Sequence, residues 1–329
     1  MKLGSLLALI VGLALLGVVV GHSDIGQVGH LLTRLSVAGA LAVMALFSVA
    51  WAAEILAWAL TFTQRAARGV WLWHLWLVNM VGEAMNVVMP FGSLGGEPVK
   101  AWLLKRHYAV GYREAAATLV LMQTLLALAE ALFVAIGALL AVALGILPPS
   151  IENLLSGAAV GLVILMALAV VGLQQRWLRQ GLDAFERRYG GARYAAAKDS
   201  LLEVEHALAD FARARPRRLA ASTLLFLANW VGGAAEVWLL LYLLGAALPF
   251  ADCWVAEAAV VTIRSLTFFL PAQLGSVEAV TVYVISALGG SAEIGLALAA
   301  LRRARELLWS LLGLGVGAAY HLDWRAASR

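Results

Sequence analysis

A single cysteine, Cys253, stands in 329 residues. No intramolecular disulfide and no multi-cysteine metal site can form, and Cys253 reads as a small buried residue. Histidines are scattered at positions 22, 30, 74, 107, 206 and 321. No H-E-x-x-H motif, paired-Asp motif or Cys/His cluster is present, which predicts neither metal nor other cofactor. A G-x-S-x-G elbow and a Walker A loop are missing too. Without a nucleophile–base pair, the chain reads as a non-enzyme. Charge is also thin, at 13% of residues. The net +4 therefore does not argue for a nucleic-acid partner, because basic residues in such a chain mostly mark cytoplasmic loops.

What fills the space is hydrocarbon. Hydrophobic residues make up 63% of the chain and the mean hydropathy is +0.87, far above soluble averages. Full spans are predicted at 3–21, 37–62, 114–146, 153–173, 219–245 and 294–320, each of bilayer-crossing length. Leu3–Gly21 follows Lys2 in the manner of a signal peptide, but it is long for one and no A-x-A site follows, so it reads as the first span. Two further hydrophobic regions, about 70–105 and 253–289, are broken at their centres. The breaks are Pro90-Phe91-Gly92-Ser93-Leu94-Gly95-Gly96-Glu97 and Pro271-Ala272-Gln273-Leu274-Gly275-Ser276-Val277-Glu278, each with seven positions from proline to glutamate. Irregular backbone persists at membrane depth only where protein buries it or a watery cavity receives it. Paired interruptions in the two halves of a chain point to a transport site.

Basic residues suggest the topology. The 174–218 segment holds ten Lys/Arg against six Asp/Glu and is placed in the cytoplasm, whereas linkers 145–152, 246–252 and 289–293 hold no base and face outward. Arg65 and Arg68 precede the first broken region and Lys105, Arg106 and Arg113 follow it, so it enters and leaves on the cytoplasmic side. The second enters from outside. The fold class expected is an all-α polytopic membrane protein with about six full spans and two re-entrant helical hairpins in an inverted-topology repeat. Residues 1–147 form the first repeat and 148–329 the second, with both termini cytoplasmic.

Ionisable residues inside spans are costly and ask for a partner or a function. They are Glu54, Glu83, Glu97, Glu130, Glu236, Glu257, Arg264, Glu278, Arg302, Arg303, Arg305 and Glu306, with Asn86, Gln123 and Asn229 adding neutral polarity. So many imply an internal hydrophilic cavity between the hairpins. Arg264, seven residues before Pro271 as Glu83 is seven before Pro90, reads either as a fork-shaped phosphate receptor or as a salt-bridge partner of Glu83, Glu257 or Glu278. Glu97 and Glu278 fall at the starts of the returning helices, with Ser276 as N-cap candidate. A carboxylate there suits the helix dipole, and equally a headgroup amine, a hydroxyl or a coupling proton. Arg302, Arg303, Arg305 and Glu306 are placed near the outer third of the last span. The translocation set is Glu83, Asn86, Pro90, Glu97, Glu257, Arg264, Pro271, Glu278, Arg303, Arg305 and Glu306. Trp71, Trp73, Trp76, Trp177 and Trp324 suit interfacial anchoring.

Three ordered strings, Asn86-x3-Pro90-x4-Gly95-Gly96-Glu97-x2-Lys100, Arg264-x6-Pro271-x2-Leu274-Gly275-x2-Glu278 and Arg303-x-Arg305-Glu306, resemble the flippase-like, or lysylphosphatidylglycerol synthase transmembrane, family. The second half is most similar to its hopanoid-biosynthesis-associated branch. The resemblance covers nearly the whole chain. It implies translocation of a membrane lipid, phospholipid or hopanoid-like, across the bacterial inner membrane, and it points at Glu97, Arg264, Pro271 and Glu278. Members often carry a Glu-Arg or Asp-Arg pair after the first hairpin where this chain has Met122-Gln123, so that charge network is not carried over. An aminoacyl-transfer domain is also missing, so synthase activity is not expected. Two alternatives stand beside the flippase reading: an ion-coupled carrier of a small soluble solute, and a non-catalytic scaffold whose partners are lipid-biosynthesis enzymes.

Overall fold

The computed structural model describes residues 14, 17–18, 20–21, 23–62, 69–88, 95–145, 148–150, 153–161, 164, 214–267 and 273–320. Pro90, Pro271, nearly all of the span expected at 3–21, the 153–173 span beyond residue 164 and the 174–218 loop up to residue 213 lie outside the described residues. The described chain runs through α1 (Ile25–Thr33), α2 (Val37–Thr61), α3 (Gly69–Val88), α4 (Gly96–Tyr108), α5 (Tyr112–Leu144), α6 (Pro216–Leu243), α7 (Phe250–Leu266), α8 (Ser276–Ala287) and α9 (Ala292–Ala319). Among the described residues no strand occurs.

Local sequence sets the helix ends. Asp24, Ser36 and Ser291 each accept a hydrogen bond from a backbone N–H in the first turn of α1, α2 and α9, which satisfies a donor that the helix itself leaves orphaned. Pro216 opens α6, where its missing N–H costs nothing. Gly145 ends α5 at φ 58°, the left-handed cap that glycine adopts freely. Ser276 is not the N-cap of α8. That place belongs to Gly275 at φ 81°, a backbone turn that serine would strain, and Ser276 begins the helix.

Among the described residues, three helices are long and apolar enough to cross a bilayer: α2, α5 and α6, at 25, 33 and 28 residues with mean hydropathy of 2.0, 2.5 and 1.7. Large apolar side chains such as Leu41, Leu139 and Leu311 face outward at 65–70% exposure, as they do when the surrounding solvent is lipid. The chain is a multi-pass membrane protein, all-helical among the described residues. Helix α9 has 28 residues, roughly 42 Å at 1.5 Å per residue. Arg302, Arg303, Arg305 and Glu306 lie just beyond its first third, toward its middle.

Four helices recur in order. From Val37 to Pro216, Gly69 to Phe250, Gly96 to Ser276 and Tyr112 to Ala292, the starts of α2–α5 precede those of α6–α9 by 179, 181, 180 and 180 residues. The contacts recur as well. Helix α2 packs against α6, α3 against α4, α7 against α8, α9 against α3 and α5 against α7. Small residues allow the close crossings: a methyl on Gly232 would come 2.5 Å from Ala50 Cβ, one on Gly137 2.5 Å from Ala258 Cβ, and one on Gly313 2.4 Å from Met80 O.

Two hydrophobic cores result. One surrounds α3 and α4 and contains Trp58, Phe62, Leu75, Val99 and Leu103; the other surrounds α7 and α8 and contains Phe133, Leu240, Cys253, Val261 and Ile285. Trp71 and Trp76 belong to the packed interior, not to an interfacial belt. Trp71 is 8% exposed and meets Phe62 edge-on, and Trp76 packs against Trp51 and Trp309. Trp73 does face outward, and Trp177 and Trp324 lie outside the described residues.

Candidate functional site

Polar side chains gather where the two cores meet. On the first side, α4 begins at Gly96, whose N–H donates to Asn86 Oδ1 at 2.7 Å, while Asn86 Nδ2 donates to Glu83 Oε2 at 3.2 Å. This ties the start of α4 to α3 across the break. Lys100, one turn into α4, lies 2.8 Å from Glu83 Oε1 and 2.9 Å from Glu97 Oε1, with no exposed surface of its own. Its stem rests on Gly82, where a methyl group would come 2.2 Å from Lys100 Cε. Gln123 on α5 completes the cluster by donating to Glu97 Oε1 at 2.9 Å. Two carboxylates around one buried ammonium compensate its desolvation, which a single contact would not.

The second side is built on arginine. Glu278 Oε2 accepts from the N–H of Gly275 at 2.8 Å, closing the first turn of α8, and Glu278 Oε1 accepts from Arg303 Nη2 at 2.7 Å. Arg303 reaches Glu306 Oε2 with Nη1 at 2.8 Å. Arg302 grips Glu257 on α7 and comes within 3.6 Å of Glu236 on α6. Arg305 Nε lies 2.5 Å from Glu236 Oε1, and its guanidinium rests 3.8 Å over the Phe47 ring, a cation–π contact.

Glu97 and Glu278, 181 positions apart, thus both lie in the first turn, as the second residue of α4 and the third of α8. Each reaches the following helix, at Gln123 and Arg303, 26 and 25 positions downstream. The difference lies in where the cation stands: in the first half it is Lys100 on the same helix, in the second Arg303 on the next.

Arg264 stands apart. Glu83, Glu257 and Glu278, the partners considered from sequence, are engaged by Lys100, Arg302 and Arg303, and Arg264 makes no ion pair among the described residues. Its Nε is buried without a hydrogen-bond partner. Its neighbour Ser265 instead donates to Glu130 on α5.

Two adjoining cavities, of about 200 and 240 Å³, share Phe47, Trp51, Glu83, Arg264, Arg302 and Arg305 as walls. Glu278, Arg303 and Glu306 line the first; Glu54, Gln123, Asn229, Glu236 and Glu257 line the second. Each is smaller than the roughly 300–1,000 Å³ of pockets that swallow drug-sized ligands. A group the size of a phosphate fits either one.

Of the residues singled out from sequence, Glu83, Glu257, Arg264, Glu278, Arg303, Arg305 and Glu306 meet at these cavities. Asn86 and Glu97 do not line them, but brace the helix break behind Glu83 and Lys100. Arg302, Glu236 and Lys100, left out of the expected set, are central to the ion pairs. A signal for Glu236 was present: the 181-residue offset between the two motifs carries Glu54 to position 235, one residue away.

Comparisons with curated proteins and with solved structures find no match. The family described as lysylphosphatidylglycerol synthase TM region matches residues 5–315. By that match the chain belongs to this family of membrane proteins connected to lipid metabolism.

Proposed function

We propose that the protein is a lipid carrier of the flippase type in the bacterial inner membrane, and not an enzyme. A polar headgroup, of a phospholipid or a hopanoid-like lipid, passes through the charge-lined cavities while the hydrophobic tail stays in the bilayer. The observation that carries this reading is Arg264, a guanidinium on the cavity wall with a buried, partnerless Nε, while Glu83, Glu257 and Glu278 are paired with other cations. Five donors in a planar fork match a phosphate, and an anion arriving there would meet a cation that has no ion pair to break.

The alternation follows from the recurrence of α2–α5 in α6–α9. Residues 1–147 and 148–329 are two halves of opposite orientation, and α3/α4 and α7/α8 are re-entrant hairpins entering from opposite faces, with both termini in the cytoplasm. Inverted halves around a midplane site can rock to open it on either side.

The test is translocation of a headgroup-labelled lipid in proteoliposomes. Wild-type protein speeds exchange between leaflets over protein-free vesicles. Arg264→Ala slows it about 10- to 150-fold, the loss expected for about 1.5–3 kcal/mol of charged hydrogen bonding, and Glu278→Gln slows it as well. Equal rates in wild type and both variants remove this reading of the site.

A further inference from the structure

The two halves treat their matching carboxylates differently. Glu236 on α6 is held by Arg302 and Arg305. Glu54, in the corresponding stretch of α2, is 9% exposed and has no ion pair among the described residues. Its two oxygens accept only from neutral amides, Asn79 Nδ2 at 2.9 Å and Asn229 Nδ2 at 3.2 Å. Yet Glu54 lines the same cavity as Arg264.

A second observation concerns Asn79. It is wholly buried, and its Oδ1 has no hydrogen-bond partner. A buried carbonyl oxygen left empty is costly, and this one belongs to an amide already hydrogen-bonded to Glu54. Turning the amide over exchanges Oδ1 for Nδ2 within the same outline, and an Oε–H on Glu54 would then find an acceptor. Both the ionised and the protonated carboxyl therefore have a hydrogen-bonded arrangement inside one packing.

The surrounding charges do not fix Glu54 in its ionised form. From α3 it faces Glu83, and from α4 Glu97 and Lys100; the Lys100 ammonium is consumed by those two carboxylates. From α9, Arg302 and Arg305 are committed to Glu236 and Glu257. From α5 and α6 come the neutral Gln123 and Asn229, and from α7 the distant wall of Glu257 and Arg264. An unpaired carboxylate so buried is expensive unless it can take up a proton.

We infer that Glu54 is a proton-binding site within the translocation cavity, and that passage of the headgroup is linked to its protonation. The proton comes from cavity water, resides on a Glu54 oxygen and returns to cavity water, with no other bond made or broken. The link to headgroup passage rests on the lipid-carrier reading, whereas the proton site stands without it.

Two measurements on the full-length protein separate the two claims. In purified wild-type protein, the infrared C=O band of a protonated carboxyl grows and fades as pH is titrated. Glu54→Gln abolishes that component, and Glu54→Asp shifts its frequency. No titrating band in wild type, or an unchanged band in Glu54→Gln, overturns the proton site whether or not any lipid is moved. In proteoliposomes, a pH gradient imposed on wild type changes the rate of lipid translocation, and translocation that ignores the gradient overturns the link while leaving the lipid carrier intact.

Discussion

Arg302 holds Glu257 in a two-pronged grip, Nη1 to Oε2 at 2.6 Å and Nη2 to Oε1 at 2.7 Å, and so pins the middle of α9 to α7. Both side chains are nearly buried, at 12% and 4% exposure. Removing one member leaves a charge inside a hydrophobic bundle. Arg302→Ala is expected to cost about 3–5 kcal/mol, read as a large drop in thermal unfolding midpoint in detergent. The double variant Arg302→Met with Glu257→Gln, which removes both charges, is expected to lose less than Arg302→Ala alone.

Arg264 should behave in the opposite way. With no ion pair to break, Arg264→Ala shifts the unfolding midpoint by no more than ordinary surface substitutions, within about 0.5 kcal/mol, even as translocation falls. A midpoint loss comparable to that of Arg302→Ala would show that Arg264 is a structural member of the network and not a receptor.

Lys100 is the keystone of the first helix pair, since among the described residues it is the cation that pairs with both Glu83 and Glu97. Lys100→Met leaves two carboxylates facing each other around a buried gap, and a loss of about 3–5 kcal/mol is expected. Adding Glu83→Gln and Glu97→Gln to Lys100→Met recovers much of that loss in the same thermal measurement. Failure to recover would mean that the lysine stem, packed on Gly82, matters more than its charge.

Gly96 meets Gly82 where α4 crosses α3, and a methyl on Gly96 would lie 2.1 Å from Gly82 O. Backbone cannot swing aside as a side chain can. Gly96→Ala is therefore expected to destabilise by about 1–3 kcal/mol or more. Gly29, inside α1, has nothing within 4 Å of such a methyl, and Gly29→Ala is expected to be neutral or to stabilise by about 0.4–1 kcal/mol. The comparison is read from thermal midpoints of the two variants.

Much of this architecture was legible because lipid permits so few solutions. Long apolar runs located α2, α5, α6 and α9 to within a few residues, and the paired Leu-Gly motifs located the breaks before α4 and α8, with Glu97 and Glu278 in their first turns. Pairings between distant helices were not legible. Nothing in the spacing says that Arg305 turns to Glu236 and Arg302 to Glu257, because each choice depends on how α9 is rotated against α6 and α7. The tryptophans misled for a related reason. Trp71 and Trp76 have the amphipathic chemistry of an interfacial belt, but the packing of α3 against α2 and α9 draws them inside. Arg264 was visible as a charge in a costly place, and its lack of a partner became visible only once Glu83, Glu257 and Glu278 were seen to be taken.

The central claim, that the cavities receive a headgroup while the tail remains in lipid, is tested most directly by photo-crosslinking with two probes in proteoliposomes. One lipid carries the photoreactive group on its headgroup, the other at the end of its acyl chain. The headgroup probe is expected to label cavity-lining positions on α3, α7 and α9 around Glu83, Arg264 and Arg302, with labelling reduced in Arg264→Ala, and the acyl probe only outward-facing positions such as Leu139 and Leu311. Headgroup labelling confined to the outward-facing surface would contradict the account.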